Sequence, residues 1–205
     1  MAPNAGSPEA KFWGWFRENS PAILKINTGM EPEFEELRKR LAEYDEGLTF
    51  ELGPWDLKTK SREFTLSAQG NVLKFPKVEK LFAAAPPLER WQIFAFRQRK
   101  DLDLGVQVAG MSLFPEEFKY VPTGKGQQLD LDLYVPELNE QNRKELEQAT
   151  WLILDIVLGE YDLAMRLDNL KLQPQSQAPQ EAKALPQLRE DVDALKGPVQ
   201  NGHNS

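Results

Sequence analysis

LTFELGPWDLKTKSREFTLSA, residues 48–68, contains two stretches in which apolar and polar side chains alternate. The first covers residues 48–52 and the second covers 64–68, and in both every second side chain is apolar. A period of two is typical of β-strands that bury one face. Gly53 and Pro54 interrupt the pattern after the first stretch. We therefore predict a β-hairpin with a long loop.

The same reasoning extends outward along the chain. Ser7 is expected to cap a first helix. Apolar residues three or four positions apart predict further helices at 32–44, 76–85 and 140–158. Alternating or continuous apolar runs predict strands at 91–96, 102–108, 120–121, 129–135 and 161–167. We therefore predict the α+β class, a mostly antiparallel sheet with packed helices. The order of elements allows two strand–strand–helix–strand units, 48–96 and 120–167.

The composition changes near residue 173, where Gln, Ser, Pro and Ala become frequent. Such segments bury too little surface to order themselves. We predict a single domain over residues 1–172, with an aromatic N-terminal helix, followed by a flexible tail over 173–205. A short helix at 186–196 is compatible with the spacing of Leu188, Val192 and Leu195.

The chain has 205 residues, no Cys, one His and a formal net charge of -7. The absence of Cys excludes disulfides and thiol nucleophiles, and His203 lies at a chain end where we predict disorder. The acidic charge disfavours nucleic acid as a partner, because phosphate binding depends on Lys and Arg. We see no secretory signal, membrane span or cofactor motif, so we expect a cytoplasmic protein without a cofactor.

Aromatic residues crowd the N-terminal helix at Phe12, Trp13, Trp15 and Phe16. One face of a short helix cannot hide all four rings, so another surface must cover them. We favour docking on a second apolar face of the long helix, formed by Trp151, Leu154 and Leu158. The alternative is an interface with a partner or a second copy, because aromatic residues are enriched in interface hot spots. The candidate interaction residues are Phe12, Trp13, Trp15 and Trp151.

Two Asp-x-Asp pairs fall in predicted strands. Asp101 and Asp103 form one pair, and Asp130 and Asp132 form the other. A period of two places each pair on one face, so the four carboxylates would converge if the strands are neighbours. Such a cluster could bind Ca²⁺ or Mg²⁺, or raise a carboxyl pKa for acid–base chemistry. The simpler interpretation is that they lie on the solvated face of a sheet.

Two sets of basic residues could form a patch near Trp55: Lys58, Lys60 and Arg62, which lead into the predicted strand at 64–68, and Arg97, Arg99 and Lys100, which follow the predicted strand at 91–96. Cations beside an aromatic ring occur in surfaces that bind single-stranded nucleic acid. Because the whole chain is acidic and salt screens charges at long range, we favour solvated strand ends.

Four segments resemble a bacterial family of uncharacterised soluble proteins, over about residues 10–172. These segments are 12–16, 48–52, 63–71 and 158–160. The resemblance implies a mixed α+β domain without an established activity, so it assigns no catalytic residue.

The aromatic surplus and the acidic charge favour a non-enzymatic protein-interaction or regulatory module. Its partner would be another protein or a second copy of the chain. The alternative is a carboxylate-based enzyme or a divalent-metal-binding protein that uses the two Asp pairs.

Overall fold

The computed structural model describes residues 6–108, 110–123 and 128–195. It confirms the α+β class, and it contains two compact units, Met1–Arg97 and Gln98–Ser205, where we predicted one domain. The division was not visible in the sequence because each half has its own sheet, and alternation does not show which strands pair. Residues 196–205, which include His203, lie outside the described residues.

The first unit is a three-stranded sheet with helices. Its elements are α1 (Pro8–Ile23), α2 (Pro32–Tyr44), β1 (Thr49–Asp56), β2 (Ser61–Ser67), α3 (Phe75–Ala83) and β3 (Trp91–Ala95), with a 3-10 turn at Val72–Lys74. The strand order is β1-β2-β3, antiparallel and then parallel. Ser7 caps α1 as predicted, since its hydroxyl accepts the Ala10 N–H at 3.1 Å.

The predicted hairpin is confirmed, but its loop is short. The strands continue to Asp56 and Ser61, so only residues 57–60 form the turn. One extra residue lies on β1 between Leu52 and Trp55, which is a β-bulge. The bulge contains Pro54, which lacks the N–H that a regular ladder needs. Since the bulge interrupts the alternation without ending the strand, we predicted a long loop there.

The second unit has a four-stranded sheet of order β8-β7-β6-β9 and a small hairpin, β4-β5. The elements are β4 (Val106–Val108), β5 (Met111–Leu113), β6 (Lys119–Pro122), β7 (Leu129–Val135), α4 (Arg143–Arg166), β8 (Leu167–Pro174), β9 (Lys183–Ala184) and α5 (Leu188–Leu195). Strand β7 is antiparallel to β6 and parallel to β8. The core lies between this sheet and α4 and includes Phe118, Leu133, Leu146 and Val157.

Both units contain a strand–strand–helix–strand arrangement. In the first, the antiparallel pair β1-β2 is followed by α3 and by β3, which lies parallel to β2. In the second, the pair β6-β7 is followed by α4 and by β8, which lies parallel to β7. The predicted order of elements is therefore present in both, although the last strand of the second is Leu167–Pro174 and lies beyond the predicted end at 167. Within the described residues four strand pairs are antiparallel and two, β2-β3 and β7-β8, are parallel.

The first segment of α4 ends at Gly159, where we predicted the end of the long helix. Gly159 has φ 72° and ψ 165°, a backbone conformation that is essentially restricted to glycine, so the helix breaks there. A second helical segment then continues to Arg166, and β8 starts at Leu167. The predicted strand at 161–167 was wrong, because its short alternation also fits a helix that buries only part of its surface.

The segment after residue 172 is folded up to residue 195. Leu185, Leu188 and Val192 are fully buried in the core of the second unit. The Tyr120 hydroxyl donates to Asp191 at 2.7 Å, and Lys183 also contacts that carboxylate at 2.7 Å. The predicted flexible tail was wrong here, because the average composition concealed a few correctly spaced apolar residues. The predicted short helix is α5.

Within these same described ranges, none of the helices combines the length and apolar character that crossing a bilayer requires.

Candidate functional site

The N-terminal aromatic residues are mostly core residues. Phe12 and Trp13 are buried, and with Phe16 they pack on Phe64 of β2. The Trp13 indole N–H donates to the Leu81 carbonyl at 2.7 Å. The cover for these rings is thus the sheet and α3 of their own unit, which we did not predict. Phe12 and Trp13 are not available to a partner in this structure.

The other two predicted interaction residues lie nearer the surface. Trp15 is half-buried beside a cleft of about 350 Å³ between α1 and α2, and the Arg40 guanidinium lies 5.6 Å from its ring centre. Arg40 also pairs with Glu36 at 2.7 Å and Glu43 at 3.2 Å. Trp151 is 45% exposed on α4. Its predicted neighbours Leu154 and Leu158 belong instead to the core of the second unit.

The two Asp pairs differ in their setting. Asp130 and Asp132 lie on β7, where the Asn169 side chain donates to Asp130 at 2.8 Å. Asp101 and Asp103 lie in a turn before β4, so placing that pair on a strand was wrong. Over residues 6–108, 110–123 and 128–195, no group of three or more His, Asp and Glu side chains could hold a metal ion. The predicted convergence of the four carboxylates is not observed.

A different surface carries two exposed large apolar side chains that line one cleft together. We define the hairpin tip as residues 54–60, at the end of β1 and in the turn to β2. Trp55 is 42% exposed and Leu57 is 83% exposed. Large apolar side chains that cluster on a rigid surface commonly mark interaction sites. The hairpin tip is therefore the candidate functional site.

The turn of the hairpin tip is fixed by its own side chains. Asp56 Oδ1 accepts the backbone N–H of Lys58 at 2.7 Å and that of Thr59 at 3.3 Å. The Thr59 and Ser61 hydroxyls lie 2.6 Å apart, within hydrogen-bond distance. The two backbone N–H groups hold the pKa of Asp56 below its usual value. Leu57 therefore projects from an ordered turn.

Arg62 fixes the base of the hairpin tip. Its side chain is buried, and its guanidinium donates to the carbonyl oxygens of Gly53 at 2.6 Å and Ile26 at 2.6 Å. It also reaches the carbonyls of Ile23 and Leu24 at the C-terminal end of α1, at 3.3 and 3.4 Å. Burial lowers the pKa of Arg62, and the charge of Glu31 opposes this. Arg62 thus joins the bulge of β1 to the end of α1.

Two clefts flank Trp55, which lines both of them. The first has a volume of about 530 Å³ and includes Leu57, Lys58 and Gln92 in its wall. The second, of about 380 Å³, is lined by Leu24, Asn27, Leu52, Gly53, Pro54, Trp55 and Arg62. The hairpin tip therefore offers both projecting side chains and adjacent recesses.

The wall of the second cleft depends on Glu31. Its carboxylate accepts the backbone N–H groups of Asn27 at 2.7 Å and Thr28 at 3.0 Å. These bonds lower the pKa of Glu31 to about 2, first through Asn27 and then through Thr28. Glu31 thus keeps the loop between α1 and α2 in place while it is ionised.

We expect the stabilising effect of Glu31 to be lost in acid. Because its folded pKa is depressed from 4.5, this effect is present above pH 4.5 and disappears as the pH falls towards 2. An NMR titration should show the Glu31 carboxyl and the amides of Asn27 and Thr28 changing together, near pH 2. Glu31→Gln should remove that transition. A midpoint near 4.5 would contradict the assignment.

The sequence analysis singled out Lys58, Lys60 and Trp55 as a candidate basic patch, but it did not predict that the hairpin tip is an exposed apolar surface. Lys58 and Lys60 are exposed, whereas Arg62, the third cation of the run, is buried on carbonyl groups. The useful signal was Pro54-Trp55-Asp56-Leu57, where two large apolar residues occupy a predicted loop. We overlooked it because isolated exposed apolar residues are common.

No protein-family model, curated protein or solved structure matches this chain. The resemblance to a bacterial family therefore stays a prediction.

Proposed function

We propose that this protein is an interaction or regulatory module that binds another protein through the hairpin tip. The observation that carries the proposal is the exposure of Trp55 at the end of β1 and of Leu57 in the adjoining turn, which hydrogen bonds hold in one conformation. A cytoplasmic setting is part of the same proposal.

The rigidity of the turn matters for affinity. Binding costs about 0.5–1.5 kcal/mol for each flexible side chain that becomes immobilised, and ordering a loop adds to that cost. Asp56 and Arg62 already hold the hairpin tip in place, so a partner meets an ordered surface. Tryptophan is among the residues most enriched in interface hot spots. A small surface centred on Trp55 can therefore contribute most of the binding energy.

The polar groups of the hairpin tip support binding more than catalysis. Asp56 accepts turn amides, and Ser61 accepts the Gln92 side-chain amide at 2.7 Å. Groups used in this way hold the backbone in place. The same surface therefore supports a role as a recognition element.

Site-specific photocrosslinking tests the proposal. We would place p-benzoylphenylalanine at Leu57 in the full chain and irradiate it in a lysate of the source organism. Leu73 provides a matched control, because it is also a leucine of the first unit and is 85% exposed. We expect one stoichiometric crosslinked protein from position 57, its loss in a Trp55→Ala background, and none from position 73.

Two results would contradict the proposal. One is the same set of products from positions 57 and 73, which would indicate nonspecific apolar contact. The other is the absence of any stoichiometric product at both low and high salt.

A further inference from the structure

We propose that the cleft between α1 and α2 binds a small planar aromatic molecule that carries an uncharged hydrogen-bond acceptor, such as a carbonyl oxygen, at its edge. This site is additional to the hairpin tip, because none of the residues that line the cleft belongs to that surface. The proposal draws on the size of the cleft, on the aromatic rings of its wall and on the hydrogen-bond donors that remain free there.

The size of the cleft suits a small molecule. Its volume is about 350 Å³, and the sites that bind small ligands commonly measure about 300–1,000 Å³. A cavity of about 150 Å³ in another protein holds benzene. The cleft between α1 and α2 therefore has room for an aromatic ring system with a short substituent.

The wall of the cleft is rich in aromatic rings. It includes one stripe of side chains from each helix: Lys11, Phe12 and Trp15 of α1, and Arg40, Glu43 and Tyr44 of α2. Three of these side chains are aromatic, whereas each cleft beside Trp55 includes one ring. Aromatic rings pair favourably in offset-stacked and edge-to-face arrangements. The wall therefore favours a flat aromatic ligand.

Two of the rings are held in place by contacts within the first unit. Phe12 is buried and stacks on Phe64, with ring centres 6.4 Å apart. The Tyr44 hydroxyl lies 3.1 Å from the Lys77 carbonyl oxygen and 3.2 Å from a carboxylate oxygen of Glu9, and either oxygen can accept its proton. A ligand that enters the cleft therefore meets rings that are already ordered, which lowers the entropic cost of binding.

The third ring, that of Trp15, is covered by Arg40. The guanidinium carbon lies 5.6 Å from the ring centre of Trp15. Arg40 Nε donates to Glu36 at 2.7 Å, and Nη1 donates to Glu43 at 3.2 Å. Two carboxylates on the same helix thus hold the guanidinium against the indole.

The free polar groups of the wall are mostly donors. In the part of the chain that the structure describes, the Lys11 ammonium and Arg40 Nη2 take part in no hydrogen bond or ion pair. These two groups together carry five N–H bonds, whereas Glu43 adds one further acceptor oxygen. The wall therefore favours a ligand that accepts hydrogen bonds. Because the charge of Glu43 would repel a carboxylate or a phosphate, a neutral acceptor suits the wall better than an anion.

Titration of the isotope-labelled full chain with small indoles, followed by NMR, tests the proposal. The probe 3-acetylindole carries a carbonyl oxygen, 3-ethylindole has nearly the same shape without it, and indole-3-carboxylate carries an anion. The indole N–H signals of the tryptophans and the backbone amides around the cleft report where each probe binds. Trp55 and Trp151 are internal controls, because they are exposed and nonspecific stacking would reach them more readily than the half-buried Trp15.

We expect 3-acetylindole to shift the Trp15 signal more than the signals of Trp55 and Trp151, and to bind more tightly than indole-3-carboxylate. Trp15→Leu keeps an apolar side chain but removes the ring. It should weaken the binding of both neutral probes by about three- to tenfold. Trp55→Leu is the matched control and should leave both affinities unchanged.

The pair Lys11→Met with Arg40→Met tests the donors, because methionine has a side chain of similar length without N–H groups. We expect it to weaken the binding of 3-acetylindole by about three- to tenfold more than that of 3-ethylindole. The control pair Arg38→Met with Lys39→Met lies at exposed positions of α2 and should change neither affinity. The indole N–H signals of Trp13 and Trp91, which are bonded to Leu81 and Ser20, show whether the first unit stays folded.

Equal losses for the two neutral probes in the Lys11 and Arg40 variant would overturn the proposal, because a purely structural effect acts on both alike. Tighter binding of indole-3-carboxylate would overturn the choice of a neutral acceptor. No shift at Trp15, or larger shifts at Trp55 or Trp151, would show that the cleft is not a site. None of these results bears on the crosslink from position 57, so this proposal and the proposed function fail independently.

Discussion

Replacing Arg62 with methionine is expected to lower the free energy of unfolding of the first unit by about 3–5 kcal/mol. The change leaves the carbonyls of Ile23, Ile26 and Gly53 without the donor that now reaches them at 2.6–3.3 Å. Hydrogen bonds from a charged donor contribute more than neutral ones. The cation also offsets the partial negative charge at the C-terminal end of α1.

The measurement is urea unfolding followed by tryptophan fluorescence in a Trp151→Phe background. The remaining tryptophans, Trp13, Trp15, Trp55 and Trp91, all lie in the first unit, so the signal reports that unit. Arg38→Met is the matched control, because Arg38 is exposed and pairs with Glu35 at the surface. We expect it to change stability by less than about 1 kcal/mol.

Arg62→Lys separates charge from geometry. Lysine keeps the positive charge but lacks the planar guanidinium, which reaches several carbonyls at once. We expect Arg62→Lys to lower the free energy of unfolding by more than Arg38→Met does and by less than Arg62→Met does. If Arg62→Met resembled Arg38→Met, the role of Arg62 in holding the hairpin tip to α1 would be wrong.

In the second unit, Leu188→Ala should lower the free energy of unfolding by about 2–5 kcal/mol. Leu188 is fully buried and belongs to the core cluster that α5 completes. Its truncation removes apolar contacts and leaves a cavity that the surrounding helices can only partly fill. The effect would show that residues beyond 172 are part of the folded unit.

Hydrogen exchange read by mass spectrometry measures this loss in the relevant segments. Amides of β7 and of α4 should exchange about 30-fold faster or more in Leu188→Ala. Leu195→Ala is the matched control on the same helix, because Leu195 is only partly buried. We expect a clearly smaller change from it. Unchanged exchange in both variants would indicate that α5 contributes little to the core.

Local patterns predicted most of the elements correctly. The alternation in 48–52 and 64–68 identified the hairpin, and helical spacing identified α2, α3 and the first part of α4. These patterns predict the elements because each element buries one face, and burial of one face requires a regular spacing of apolar residues within a short stretch of sequence. In the first unit the strand–strand–helix–strand order follows from these elements alone, whereas in the second unit the last strand was predicted at the wrong residues.

Features that depend on contacts between distant residues were not predictable in this way. Arg62 resembles a solvated cation in sequence, and only the end of α1 reveals why it is buried. The four rings near residue 12 suggested a surplus, but Phe64 accommodates three of them. Alternation suggested a strand after Gly159, although β7 pairs with the following residues, 167–174. Local sequence patterns predict which face of a helix or strand is apolar, whereas the residues that cover that face depend on the tertiary structure.

The link between Arg62 and α1 also has a consequence for biosynthesis. Arg62 lies 36–39 residues after the carbonyls that it caps. At about 5–20 residues per second, the ribosome completes α1 about 2–8 s before Arg62 is added, whereas a hairpin forms in about 1–10 μs. During those seconds the nascent helix has neither its capping cation nor Phe64 to cover its rings. Uncovered apolar surface of this kind favours misassociation in a growing chain, and completion of the hairpin ends that interval.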